Sequence, residues 1–399
     1  MKSKGLLIIA LFFLINQLYC QEKQLTKQQK VDDFLYAYNI LKDNYPFFGV
    51  CERTNGFDWL SRKNEYIDKV EHTKNDSAYI FTLKAIFGAL NDGHVNFNAT
   101  RYGNEGYHST YKKIAAENTH YNKWLEIFEN PNSRIDYWSA ILKHSEKSKV
   151  TNSNIINREF SNYSDTLIQN GEIAIMEIQS FNYQRIEKDK EKIFSLFNKI
   201  ENCKYLIIDI QENSGGSVKY WKENIVERLI NDTVVYTSIP VIKDGPVNRT
   251  FYESFFAKAL LLNKTEVLQK IPDELLSDAY YIKYEKDTIS PRAPINFNGR
   301  IFLLVSKKVF SSAEGFAQFC KTTGWATVVG ERTGGDGIGS DPALIILPES
   351  GILMSFPSLV GLNHNGSLNS EEKTIPDIVI NGDNPQERLR MLIEHLNTN

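Results

Sequence analysis

The apolar run "IFLLV" at residues 301–305 is followed closely by "VFSSAEGF" at residues 309–316. Five consecutive apolar residues read as a strand buried on both faces. The segment from Ser311 to Thr322 reads as a helix, with Cys320 on its apolar side. A buried strand running into a helix is the repeating unit of an α/β fold, so this junction decides the fold class. Its adjacent serines pose a chemical question. Ser311 with Glu314 three residues later has the spacing of a capping box, in which each side chain satisfies an orphan backbone N–H. Ser311 also sits near the carboxyl end of a strand, where open α/β sheets bind their ligands.

The same texture extends in both directions. Strands are expected at Glu172–Ile178, Tyr205–Ile210 and Ala326–Gly330, and helices at Arg185–Ile200 and Tyr220–Ile230. A helix at Pro385–Leu396 closes the chain. Short apolar strands separated by helices imply a mostly parallel sheet flanked by helices over residues 170–399. Residues 240–298 interrupt this pattern as an insertion with hairpins and a helix near Phe255–Leu262. Upstream, the spacing predicts helices over Thr26–Tyr45, Asp58–Val70 and Ser77–Leu90, which make residues 21–100 a small N-terminal helical domain. Residues 101–169 are polar, with helical patches at Ile114–Phe128 and Ile135–Leu142, and read as a connecting segment.

Residues 1–20 have the form of a signal peptide. Lys2 and Lys4 precede the apolar stretch Leu6–Leu18, and Tyr19-Cys20-Gln21 offers a cleavage point. That stretch is short of the roughly 20 apolar residues a membrane span needs. The expectation is an exported protein of the periplasm or cell envelope, or secreted, with acylation of Cys20 as the alternative and no transmembrane helix in the mature chain. The remaining cysteines, Cys51, Cys203 and Cys320, are odd in number and read as core residues rather than a disulfide framework. A net charge of -3 and the lack of a basic block give no nucleic-acid surface.

A serine hydroxyl needs a neighbouring base. Of the seven histidines, His72, His144 and His395 fall on charged helix faces and His364 in a polar loop. His94 follows the turn signal Asn91-Asp92-Gly93 at the end of a helix and precedes Val95-Asn96-Phe97, which alternates like a strand. The Glu117/His120 pair has a di-iron spacing, but no second pair accompanies it. Metalloprotease, redox, P-loop and G-x-S-x-G patterns are missing, so those chemistries have no anchor. Gly215 and Gly216 in "DIQENSGG" (209–216) either make a plain turn or direct backbone N–H groups at a ligand.

Five motifs in order, "LNDGHV" (90–95), "DIQENSGG" (209–216), "SSAE" (311–314), "VVGERTGG" (328–335) and "IPD" (375–377), resemble the S41 family of serine peptidases. That family includes the C-terminal processing proteases and the tricorn core peptidases. The resemblance runs from about residue 26 to the end and implies a ClpP/crotonase-like core. It makes Ser311 the nucleophile, with an oxyanion hole from the Ser312 N–H and Gly215 or Gly216. The processing-protease branch uses a lysine base where this chain has Asp336, which cannot play that role. The tricorn-like branch uses a histidine, here His94, assisted by a glutamate shortly before the Pro-Asp pair, here Glu371 or its neighbour Glu372.

Gln211 stands where the family has an arginine, Gly93 stands where tricorn peptidases have a serine, and no PDZ-like segment occurs within 101–169. The resulting expectation is an exported serine endopeptidase acting on peptides or unfolded proteins, with no metal or organic cofactor. The alternative is a non-catalytic protein that binds peptides or other ligands on the same fold.

Overall fold

A computed structural model describes residues 24–97, 106–147, 161–264, 268–277, 279–337 and 339–398. The signal-peptide segment 1–20 lies outside the described residues.

The N-terminal part forms helices α1 (Lys27–Asn44), α2 (Phe48–Asn55), α3 (Lys63–Glu71) and α4 (Asp76–Gly88). Thr26 and Gln29 close a reciprocal capping box on α1, and Asn75 caps α4 by accepting from the Ala78 N–H. Helices α5 (Tyr107–Glu117), α6 (Asn122–Phe128) and α7 (Ile135–Lys147) follow.

The central sheet has the order β1-β2-β3-β8-β9-β13. It comprises β1 (Tyr163–Ile168), β2 (Ile173–Ile178), β3 (Tyr205–Asp209), β8 (Arg300–Val305), β9 (Thr327–Gly330) and β13 (Ile378–Val379). All neighbours pair in parallel except β1, which lies antiparallel on β2. Helix α8 (Ile186–Phe197) and helix α9 (Ser312–Thr323) cover one face, and α10 (Pro385–Thr398) the other. Both faces are therefore buried, which is why β3 and β8 lack polar alternation.

A second, antiparallel sheet has the order β12-β4-β6-β5, with β7 also on β4. Its strands are β4 (Val234–Lys243), β5 (Leu260–Leu261), β6 (Tyr280–Ile282), β7 (Glu285–Ile289) and β12 (Leu359–Leu362). Strands β10 (Ala343–Ile346) and β11 (Leu353–Phe356) form a separate hairpin.

Two expectations change here. The helix expected near Phe255–Leu262 is a short turn at Glu253–Phe256 followed by β5. The N-terminal helices also do not close a core of their own. Phe34, Trp59 and Phe87 share one apolar cluster with Trp124 and Trp138, with Val241 and Ile282 of the second sheet, and with Leu353 and Val360. The N-terminal helices, helices α5 to α7 and the second sheet thus share one apolar cluster, while residues 163–168 belong to the central sheet as β1. Between Val95 and Phe97 the strand-like stretch makes a single bridge, Asn96 to Ser355. The cysteines Cys51, Cys203 and Cys320 are buried and unpaired. Among the described residues no helix is long and apolar enough to cross a membrane.

Candidate active site

Ser311 does not cap the helix it precedes. Its side chain makes no capping bond, and its backbone sits at φ 53°, ψ -126°. Such a conformation in a non-glycine residue stores about 1–3 kcal/mol of strain and persists only where surroundings over-determine it. Here the Ser311 N–H donates to the Gly335 carbonyl at 3.3 Å, and its carbonyl accepts the Gly315 N–H at 2.9 Å. The expected partner Glu314 turns inward instead. It is fully buried and accepts from Asn369 Nδ2 at 2.8 Å and from the Thr374 hydroxyl, while burial raises its pKa.

The Ser311 hydroxyl lies 3.3 Å from His94 Nε2. The other ring nitrogen, Nδ1, is 2.7 Å from Asp336 Oδ2. Serine, imidazole and carboxylate are therefore in line, with only 18% of the His94 side chain and 11% of the Asp336 side chain exposed. His94 is held by its backbone as well: its N–H donates to Asp92 Oδ1 at 2.8 Å, and its carbonyl accepts from the Ser355 hydroxyl at 2.7 Å. The Phe310 ring packs on the imidazole with centroids 4.8 Å apart. Thus the N-terminal region delivers the imidazole, and β11 pins it.

Glu371 and Glu372, the expected assisting carboxylates, are elsewhere. Glu371 is clasped by Arg53 through Nε–Oε1 and Nη2–Oε2 contacts of 2.9 Å each. Glu372 pairs with Lys270 at 3.2 Å and accepts from Ser367 at 2.8 Å. Asp336 takes the place expected of them. It adopts φ 61°, a left-handed conformation that aspartate tolerates better than most residues. The loop around it lies directly on the first turn of α9: a side chain on Gly337 would meet the Gly315 nitrogen at 2.3 Å and Glu314 Cβ at 2.4 Å. Asn369 completes the attachment, accepting from the Gly337 N–H at 3.1 Å. The far end of this loop is gripped by residues 111–124. Tyr111 and Tyr121 donate to the two Asp341 carboxylate oxygens at 2.8 and 3.1 Å, and Trp124 donates to the Pro342 carbonyl at 2.8 Å.

The glycine pair resolves into two roles. Gly215 and Gly216 have φ 106° and 133°, values that exclude most side chains. The Gly215 N–H is already occupied, donating to Asn213 Oδ1 at 2.9 Å, and its carbonyl accepts from Phe181. Gly216 and Ser312 both line the cleft that holds Ser311 and His94, a space of about 470 Å³. Their N–H groups have no acceptor among the described residues. That leaves Gly216 and Ser312, and not Gly215, as the donors available to an oxyanion.

Burial pulls the His94 pKa down. The charge and hydrogen bond of Asp336, helped by Asp92 and Asp341, outweigh this and raise it to about 8. A base must be neutral, so activity is expected to be small below this value and to rise through an apparent pKa of about 8 in kcat/KM. A profile flat down to pH 6 would contradict the arrangement. Burial, together with the Asp336 charge, also raises Asp92 to about 6.

Residues 172–380 match the sequence model of peptidase family S41. The chain belongs to that family. Among solved structures, a candidate peptidase from Parabacteroides merdae ATCC 43184 superimposes with a TM-score of 0.56 at 17% identity, covering 92% of this chain and 96% of that one. Mature CPAF gives a TM-score of 0.56 at 14% identity over 93% of this chain and 96% of its own. At these identities the likeness speaks for the fold. The segment matched to the S41 family contains Ser311, Gly216 and Asp336, while His94 lies upstream of it.

Two of the three departures from the S41 pattern, Gly93 and Gln211, have structural reasons. A side chain on Gly93 would come within 3.1 Å of the Phe310 ring, the same ring that packs on His94. Gln211 is buried and accepts from Arg388 Nε while donating to Asp209 Oδ2 at 3.0 Å and to the Pro385 carbonyl at 3.1 Å. A guanidinium is thus supplied by α10 rather than by position 211.

Among the described residues, Asp92, His94 and Asp336 are grouped closely enough to share a metal, their ligating atoms lying within 4.8 Å. Each already has a protein partner: Asp92 also accepts from the Tyr45 hydroxyl at 2.9 Å, and Asp336 faces Nδ1. The donors are arranged as a hydrogen-bonded relay. Asp336 is the site residue that sequence reasoning missed. Its signal was a lone carboxylate between glycines in "GGDGIG" (334–339), the composition of a loop that must approach other backbone closely.

Proposed function

We propose that this S41 family member is a serine endopeptidase in which Ser311, His94 and Asp336 form the catalytic triad. The observation that carries the reading is the continuous contact from the Ser311 hydroxyl at 3.3 Å through the imidazole to Asp336 at 2.7 Å. Ser311 attacks the scissile carbonyl while His94 Nε2 takes its proton. Asp336 holds the Nδ1–H tautomer and stabilises the imidazolium that forms. The Gly216 and Ser312 N–H groups receive the developing oxyanion, and the positive end of α9 adds to their field. His94 then gives its proton to the leaving amine, and water repeats the sequence on the acyl-enzyme. The strained Ser311 backbone supports this, because strain at a functional residue pre-organises the nucleophile.

The binding-only reading drew on Gln211 and Gly93. Both now have packing roles that leave the triad intact, so hydrolysis is the better supported of the two. The substrates on this reading are peptides or unfolded proteins, and the N-terminal pattern of residues 1–20 supports export. The test is direct. Purified protein should cleave casein, and a fluorophosphonate probe should label Ser311 and no other serine. Absence of both label and cleavage would return the protein to the binding class.

A further inference from the structure

Strand β4 is flanked unevenly. On one side β6 and β7 pair with it in a single continuous register, from Lys243↔Tyr280 to Val234↔Ile289. On the other side β12 covers only Ile239–Ile242. The chain then turns away, with the Asn363 N–H donating to the Ser367 carbonyl at 2.8 Å. Beside Val234–Ser238 no strand lies against that second edge among the described residues.

The direction of each backbone group follows from one contact. The Pro240 carbonyl accepts from the Lys283 N–H at 3.1 Å, so residue 240 faces β6 and β7. Strand residues alternate, so Ile239 and Val241 face β12. Continuing the alternation, Thr237 and Val235 point their N–H and C=O groups at the open side. Thr237 lines the same cleft as Ser311, His94 and Gly216. Tyr236 anchors the strand to the nucleophile helix by an edge contact with Phe319, centroids 5.2 Å apart. Val235, at 56% exposure, adds an apolar side chain to the same edge. Exposed strand edges invite pairing, and natural proteins blunt those they do not use.

We propose that the open edge of β4 at Val235–Thr237 binds the backbone of an extended peptide substrate as an added strand, aligning its scissile bond with Ser311. This rests on the peptidase reading and names how that site grips its substrate. Main-chain pairing supplies affinity without demanding a particular side chain at each position. Substrates must therefore be unfolded over several residues.

The test uses Thr237→Pro. The Thr237 N–H faces the open side, so the substitution removes an edge donor while sparing the β4–β7 ladder. Casein cleavage and p-nitrophenyl acetate hydrolysis are measured together with the melting temperature. The expected result is about a tenfold loss of kcat/KM on casein and a smaller loss of ester turnover. Independently, wild-type protein is assayed on a decapeptide spanning the first casein bond cleaved, with each amide N-methylated in turn. A tenfold loss at alternating positions is expected. Normal casein cleavage by a folded variant, or a flat methylation scan, overturns the proposal even though the peptidase reading stands. A dimer in sedimentation that Thr237→Pro dissociates without changing cleavage would assign the edge to a second copy and also overturn it. No turnover of either substrate by wild type removes the peptidase reading itself, and this inference with it.

Discussion

Replacing His94 with alanine is expected to lower kcat on a peptide by on the order of 10⁴–10⁶-fold, with KM changed by about threefold or less. Among the described residues the imidazole is the titratable group in contact with the Ser311 hydroxyl, while Asp336 contacts the other ring nitrogen, Nδ1. The ring is also part of the packing, with Phe310 against one face. A melting curve should therefore accompany the kinetics, so that loss of turnover is read on folded protein. A folded His94→Ala variant that keeps a tenth or more of the activity would show that another group is the base.

Asp336→Asn separates the observed carboxylate from the expected one. It should reduce kcat by on the order of 10³–10⁴-fold, since an amide in that place favours the wrong tautomer of His94. The pH profile gives the sign independently. Asp336 raises the His94 pKa, so its neutralisation should move the acid limb of kcat/KM downward from about 8. Glu371→Gln should leave kcat within about threefold. That change weakens only the half-exposed pair with Arg53, worth under about 1 kcal/mol after screening. If the two variants behave the other way round, the triad is built on Glu371 in the working enzyme and Asp336 is a loop residue.

The legible parts of the site were those written into local pattern. The junction from β8 to α9 follows from an apolar run ending in small polar residues, and the β3 exit shows as a glycine pair. His94 stood out because it follows a tight turn between a helix and an extended stretch. Glu371 was chosen for its place before Pro376-Asp377, yet a guanidinium 318 positions away in the chain neutralises it. Glu314 likewise had the spacing of a cap, but Asn369 and Thr374 offered it buried partners that no local rule foresees. Residues 107–128 had no recognisable purpose in the sequence because their contacts are made at long range. Tyr111, Tyr121 and Trp124 act on Asp341 and Pro342, more than 200 residues later.

By itself the sequence determined the alternation of strands and helices, the strand-to-helix turn that exposes Ser311, and the family. The first two rest on residues within a few positions of one another, where periodicity and turn chemistry act, and the family on five such short motifs in order. Only the tertiary structure decided which carboxylate meets His94 and which glycine N–H stays free. Those outcomes depend on side chains finding partners across the chain, and a buried charge goes to whichever opposite charge or donor the packing brings within hydrogen-bond reach.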